Sequence, residues 1–210
     1  LYPGGLLSDR VMAGAAAPTH DALALIELDS IARGYKVVDA MVKKAPVHLL
    51  EVNLVEPGKF LVLFAGDVES VNEAYACALE EAEEHCLDSM NLPMVHEALV
   101  PALAGAIDCS DPHTVGIVEG AAVGSTLLAC DQALKNSSVT LAGLRITPGL
   151  GGKAYYVLHG EHADVQSGLA TSEEVLGALE HLIRVECIPA PHPDFVASIL
   201  RPAPFNLEQR

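Results

Sequence analysis

An internal repeat is the feature that most constrains how this chain can fold. Five residues recur 92 positions later with the same identities: Glu27, Asp39, Lys43, Val47 and Leu49 return as Glu119, Asp131, Lys135, Val139 and Leu141. Further along, Gly58, Lys59, Gly66 and Val71 return 94 positions later, and Pro93, His96 and Val100 return 96 positions later. A constant spacing that changes only by small insertions indicates one structural unit present twice.

Two copies of about 85 residues are too long for solenoid repeats and match two small domains. The sequence predicts an N-terminal arm over residues 1–21, a first domain over 22–104 and a linker over 105–112. A second domain over 113–200 and a C-terminal tail over 201–210 complete the prediction.

Each unit reads as strand, helix, strand, strand, helix, strand and a short terminal helix. Apolar runs predict the strands, and Ser30 and Asp67 are placed to cap the helices that follow them. The predicted segments are 23–28, 30–45, 47–55, 60–65, 67–84, 87–92 and 93–103, then 114–119, 122–136, 139–147, 154–159, 162–180, 182–188 and 191–200. This order predicts an α+β protein of two tandem ferredoxin-like (split βαβ) domains.

Charge and composition exclude several functions. The net charge of −16, with only 12 Lys and Arg, argues against nucleic acid as a partner, because phosphate binding needs a basic surface. No apolar run is long enough to span a membrane, and residues 1–7 lack the basic start of a signal peptide. Five cysteines without a C-x-x-C pair are typical of reduced thiols in the cytoplasm.

The carboxylates that recur do not form a catalytic set. Glu27 and Glu119 end equivalent strands, where a subunit contact is a better interpretation than acid–base catalysis, since no nucleophile or base accompanies them. Asp39 with Lys43, and the equivalent pair in the second unit, have the i,i+4 spacing of a helix ion pair. The sequence leaves open whether these lysines make contacts or are simply solvated.

The glycine loops and the histidines have structural interpretations. The run from Gly149 to Gly152 precedes a strand and lacks a P-loop ending, so turns with positive φ explain its glycines better than a phosphate site. His96 and His192 each follow a proline by three residues and have no partners at metal-ligand spacing. The sequence therefore predicts no catalytic residue and no metal ligand.

Taken together, these stretches resemble bacterial microcompartment shell proteins of the class with two tandem shell domains. The stretches that carry the resemblance are Ala24–Glu27, Asp39–Lys43 with Ala45–Val47, the Gly-Lys ahead of the strand that ends in Gly66-Asp67-Val68, Val115–Glu119, Gly152-Lys153 and Ile188–His192. They cover about residues 22–104 and 113–200.

The resemblance implies a homotrimer whose six domains form a pseudohexagonal tile, joined edge to edge with other shell proteins around encapsulated enzymes. It implies that one loop of each domain lines a central pore for metabolites: Glu56, Pro57 and Gly58 in the first domain, and Pro148, Gly149, Leu150 and Gly151 in the second. It also implies that Lys43 and Lys135 contact the neighbouring tile, and that the protein belongs in the microcompartment shell within the cytoplasm.

One relative, from propanediol-using compartments, holds an iron–sulfur cluster on cysteines at the trimer axis. Glu56 occupies that position here, so the resemblance implies no cofactor. Many single-domain relatives carry an arginine where this chain has Met94 and Ala190. Two alternatives stay open: a small-ligand sensor that binds metabolites between subunits, and an enzyme that uses Glu27 or Glu56 as an acid or base.

Overall fold

The computed structural model describes residues 20–103, 105, 112–146 and 150–199. The first unit contains β1, α1, β2, β3, α2, β4 and α3, and the second contains β5, α4, β6, β7, α5, β8 and α6. The bounds of the first unit are Ala22–Leu28, Ile31–Lys44, His48–Val55, Lys59–Gly66, Val68–Ala82, Cys86–Pro93 and Leu99–Leu103. Those of the second are Thr114–Gly120, Val123–Asn136, Thr140–Arg145, Ala154–Gly160, His162–Ala178, Leu182–Pro189 and Pro193–Ile199.

Each unit builds one four-stranded sheet, and the two sheets have the same topology. The strand orders are β2-β3-β1-β4 and β6-β7-β5-β8, and every neighbouring pair is antiparallel. The prediction of two tandem α+β units with the ferredoxin-like order is therefore confirmed.

The predicted caps form, but the terminal helices are shorter than the sequence indicated. The Ser30 hydroxyl accepts the Arg33 N–H at 3.3 Å, and the Asp67 carboxylate accepts the Ser70 N–H at 2.9 Å. The helix predicted over 93–103 begins only at Leu99, because β4 continues to Pro93 and Met94 takes a positive φ of 56°. A non-glycine residue in that conformation cannot continue into a right-handed helix.

One face of each sheet is covered by the two long helices of its own unit. In the first unit Ile26 and Phe64 on the sheet pack with Val37 and Met41 of α1 and with Val71 of α2, and all five side chains are buried. This burial supplies the main driving force for folding of each unit.

The other face of the first sheet is covered by the second unit. Leu25 and Leu63 of that sheet share one buried cluster with Val123, Leu127 and Cys130 of α4. Helix α4 thus packs on its own sheet with one side and on the first sheet with the other. The two units therefore meet through an apolar interface within the chain.

Candidate functional site

The first candidate pore loop is the tight turn between β2 and β3. Glu56, Pro57 and Gly58 are all exposed, and the Glu56–Pro57 peptide bond is cis. The Gly58 N–H donates to the Val55 carbonyl at 3.0 Å and closes the turn. Gly58 has a φ of +96°, a conformation that glycine adopts at no steric cost, which explains the Pro-Gly signal.

The second candidate loop joins β6 to β7. Gly151 and Gly152 both have positive φ, at 63° and 85°, as their sequence pattern predicted. Leu150 is half-buried and Gly151 is exposed, whereas Pro148 and Gly149 lie outside the described residues.

The second loop reaches the first unit. A Cβ placed on Gly152 would lie 3.5 Å from Lys59 Nζ and 3.9 Å from Glu27 Oε1. Gly152 is itself buried, so at this point the second loop contacts the ion pair at the base of the first loop.

Each loop is followed by a lysine that pairs with the glutamate of the central strand. Lys59 Nζ lies 2.5 Å from Glu27 Oε1, and Lys153 Nζ lies 3.1 Å from Glu119 Oε1. The surroundings differ, because the Glu27 side chain is only 2% exposed whereas that of Glu119 is 39% exposed. The Glu27 carboxylate is thus a buried ion-pair partner at a contact between the two domains of one chain, whereas the sequence predicted a contact between subunits.

The candidate edge lysines lie at the other end of each unit. Lys43 and Lys135 are in the last turns of α1 and α4, and each Nζ lies 2.6 Å from an aspartate oxygen one turn earlier. A full-length strand, β2 or β6, leads from the end of each helix towards the candidate loop. The lysines and the loops therefore lie at opposite ends of each sheet.

The two aspartates have different surroundings. Asp131 is fully buried, and its second oxygen accepts the backbone N–H of His96 at 2.8 Å. Asp39 is 63% exposed and pairs with Lys43 alone in the described part of the chain. The junction between Asp131 and His96, which joins the two units, was not foreseen, since nothing in the sequence distinguishes Asp131 from Asp39.

The histidines and cysteines of the described residues do not form a metal centre. His96 Nδ1 accepts the Ala98 N–H, and His192 Nδ1 accepts the Asp194 N–H, both at 3.2 Å, so each ring closes a local turn. In the described ranges no group of three His, Cys, Asp or Glu side chains is arranged to hold a metal ion. The loop position of Glu56 offers a carboxylate where an iron–sulfur cluster needs thiolates, so the residues present do not fit that group.

Among the described cysteines, Cys130 is fully buried, whereas Cys77, Cys86 and Cys187 are half-buried. Burial raises the pKa of the Cys130 thiol well above its usual range, and the neighbouring Asp131 adds to this effect, which makes the thiolate unfavourable. Within the described residues, none of the helices combines the length and the apolar character that crossing a bilayer requires.

Comparisons with known proteins agree with this architecture. The family model of the BMC domain matches residues 22–95 and again residues 114–191. The bacterial microcompartment shell protein PduT of Citrobacter freundii is 38% identical over 171 residues, which cover 81% of this chain and 93% of that protein.

Two solved structures extend the comparison. The crystal structure of a microcompartment protein from Desulfitobacterium hafniense DCB has a TM-score of 0.77 and 35% identity, and the match covers 84% of this chain and 98% of that one. The fused permuted hexameric shell protein of the RMM microcompartment has a TM-score of 0.56 at 20% identity, with coverages of 76% and 85%, and supports the fold alone. The chain therefore belongs to the BMC-domain family of bacterial microcompartment shell proteins, as a structural shell tile with two BMC domains in tandem.

Proposed function

We propose that three copies of this chain close into a ring of six BMC domains, a pseudohexagonal shell tile with a pore on its threefold axis. The observation that carries this proposal is a difference between the equivalent helices α1 and α4. On α4 the outward stripe Val123, Leu127 and Leu134 is at most 5% exposed, because the first sheet covers it. The equivalent stripe on α1 is Ile31, Tyr35 and Val42, which are 37%, 60% and 40% exposed.

The second sheet offers the matching surface. Its face away from α4 and α5 carries Val115, Ile117, Tyr155 and Val157. Their equivalents in the first sheet, Leu23, Leu25, Leu61 and Leu63, belong to the buried cluster that α4 joins. In the single chain Val115 and Val157 of this face are buried in a small cluster against which Phe195 packs, whereas Ile117 and Tyr155 are half-buried. A second copy could therefore place its α1 on this face as α4 sits on the first sheet.

In this contact one surface of a copy, α1, meets a different surface of the next copy, the second sheet. Such a heterologous contact builds a closed ring when the rotation between successive copies divides a full turn evenly. Each copy contributes two domains, joined by one contact within the chain, and one contact between chains joins it to the next copy. A ring of six domains therefore contains three copies. Completing the burial of an Ile, Leu or Val side chain contributes up to about 1.5–3 kcal/mol. The three α1 side chains are only partly exposed, so burying them completely contributes roughly as much as burying one or two such side chains in full. That amounts to a few kcal/mol per interface.

The loops support a central pore. Gly152 of the second loop contacts the Lys59–Glu27 pair within the chain. By the same repeat, Gly58 of one copy would contact the half-exposed Lys153–Glu119 pair of the next, and a Cβ at Gly58 meets nothing within 4 Å in the single chain. All six loops would then face the axis with three copies of Glu56, and Pro148, Gly149, Leu150 and Gly151 would complete the lining.

The opposite ends of the domains would form the rim of the tile. Lys43 and Lys135 would lie there in alternation, available to other shell proteins, and the enclosed enzymes would lie behind one face of the sheet of tiles. Long lysine stems can pack on a neighbour while the ammonium stays in water.

The test is the mass of the purified protein and of one interface variant. Light scattering at micromolar concentration should give three chains, and Tyr35→Glu should give one folded chain, because the buried glutamate would face an apolar sheet. Lys36→Gln is the matched control, since Lys36 pairs with Glu81 on another side of the same helix. A wild-type monomer, or a Tyr35→Glu trimer as stable as the wild type, would refute the proposal.

A further inference from the structure

We infer that trimer closure completes a buried joint at Asp39, in which the backbone N–H of His192 of the neighbouring copy donates to the free carboxylate oxygen and so fixes Lys43 at the rim. This inference rests on the trimer proposed above and assigns a contact that holds its copies together.

An equivalent contact already exists within the chain, at Asp131. Asp131 uses both carboxylate oxygens: Oδ2 accepts from Lys135 Nζ at 2.6 Å, and Oδ1 accepts from the His96 N–H at 2.8 Å. The aspartate side chain is 1% exposed and that of the lysine is 31% exposed. A carboxylate can be buried at this depth because both partners are present.

The equivalent groups are present at the other interface and are incomplete. Asp39 Oδ2 accepts from Lys43 Nζ at 2.6 Å, but in the described part of the chain Oδ1 has no partner. The Asp39 and Lys43 side chains are 63% and 71% exposed. Asp39 Oδ1 is therefore exposed and available to accept a hydrogen bond from another copy.

The proposed donor, the backbone N–H of His192, lies in a turn like that of His96. His192 follows Pro189 by three residues, as His96 follows Pro93, and the two turns share two internal hydrogen bonds, one to the histidine carbonyl and one to its ring Nδ1. The carbonyl of His96 accepts the Leu99 N–H and that of His192 accepts the Phe195 N–H, each at 2.9 Å. The His192 N–H itself has no acceptor among the described residues. The backbone therefore presents this N–H in the geometry in which His96 meets Asp131.

The joint would connect trimer closure to the edge of the tile. A hydrogen bond to a carboxylate is about twice as strong as one between neutral groups, and it lowers the freedom of the carboxylate. Once Asp39 is held from one side, its ion pair restrains Lys43. Without that second contact the exposed Asp39–Lys43 pair contributes little to stability. Lys43 is then presented at the rim as Lys135 already is in the single chain.

Residue-resolved hydrogen exchange on the light-scattering-verified trimer tests the joint. The His192 amide should exchange slowly in the wild-type trimer and roughly ten- to a hundredfold faster in Asp39→Ala, as expected for loss of a charge-assisted bond. The Phe195 and Val196 amides are internal controls, because their acceptor is the His192 carbonyl of the same copy. Asp39→Asn, which keeps the acceptor oxygen, should restore part of the protection, and Asp131→Ala should speed exchange at His96.

The outcomes separate the joint from the trimer. A trimer whose His192 amide exchanges at the unprotected rate, or is unaffected by Asp39→Ala, overturns the joint and leaves the proposed tile standing. A monomeric wild-type protein overturns both.

Discussion

At the scale of single residues, the two copies of the unit show how identical residues acquire different roles. Asp39 and Asp131 have the same sequence context, with a lysine four positions later, yet one is largely exposed and the other is buried. The difference comes from the partner that each meets, which is solvent in one case and the His96 turn in the other.

The strand residue Glu51 gives a pH-dependent prediction at this scale. Burial raises the pKa of Glu51 above the ordinary glutamate value of 4.5, so the folded state disfavours the ionised form. Because the unfolded chain ionises first as pH rises through that value, Glu51 lowers stability at neutral pH and not at pH 3. Glu51→Gln should raise the melting temperature by about 1–3 °C at pH 7, a modest gain because the side chain is partly solvated.

Thermal unfolding at pH 7 and pH 3 measures this effect. Glu73→Gln removes the same charge from an exposed site of α2 and serves as the control. A gain at pH 7 that equals the control, or a gain that persists undiminished at pH 3, would contradict the assignment.

At the scale of elements, the two units fill the same space with different side chains. In the first unit Gly34 of α1 lies directly against the buried ring of Phe60, and a Cβ on Gly34 would overlap that ring. In the second unit the equivalent helix residue is Thr126, and the equivalent of Phe60 is Ala154. The smaller helix residue thus accompanies the larger strand residue, which keeps the packing dense.

Two glycine-to-alanine changes in helices should therefore have opposite effects. Gly34→Ala should destabilise the protein by roughly 1–3 kcal/mol, because overpacking outweighs the better helix propensity of alanine. Gly177→Ala in α5 should stabilise it by up to about 1 kcal/mol, because a Cβ there meets nothing within 4 Å. Urea unfolding compares the two directly, and a stabilised Gly34→Ala protein would show that the Phe60 contact is not tight.

At the scale of the whole molecule, the net charge bears on how the proposed tiles would associate. Each chain carries a net charge of −16 and a proposed tile carries three times that, so isolated tiles repel one another at low salt. The few lysines at the rim would then have a large effect on assembly.

The proposed rim can be tested with two neighbouring lysines. Lys43→Ala should abolish extended sheets seen by electron microscopy and leave the mass of the trimer unchanged. Lys44→Ala removes the same charge from the next residue of the helix, beside Glu73, Cys77 and Glu80, and should not prevent sheet formation. Sheets of Lys43→Ala as extensive as those of the wild type would show that Lys43 is ordinary solvated surface.

The proposed pore can be tested at Glu56. Three carboxylates near the axis should oppose small anions, as charged rings do in channels, and salt should weaken the effect over a Debye length of about 8 Å. Glu56→Gln should therefore admit an anion such as sulfate into assembled shells several-fold faster at low salt, with entry of an uncharged solute unchanged. Glu69→Gln, an exposed change in α2, is the control.

The same preparation tests the cofactor expectation. Anaerobically purified protein should be colourless, because a carboxylate ring does not supply the thiolate ligands of an iron–sulfur centre. Equal sulfate entry with Glu56 and with Glu56→Gln, or a brown native protein, would show that Glu56 does not set the chemistry of the pore.

The sequence by itself determined the features that depend on neighbouring residues. The repeat and its changes of spacing predicted two equivalent domains, and the apolar runs predicted every strand to within one or two residues where the structure describes them. Ser30 and Asp67 cap their helices as predicted, since a cap needs only the first turn that follows it. The resemblance of these stretches to shell proteins named the family that the comparisons confirm.

Only the tertiary structure decided which of two equivalent surfaces is buried. Tyr35 and Leu127 are both apolar residues on the outward stripe of an equivalent helix, yet only Leu127 is covered. The physical reason is that the covalent link between the domains brings α4 onto the first sheet, whereas within the described chain the outward stripe of α1 meets no second sheet. Local patterns record that a stripe is apolar, but burial depends on the element packed against it, which lies far away in the sequence or in a different chain.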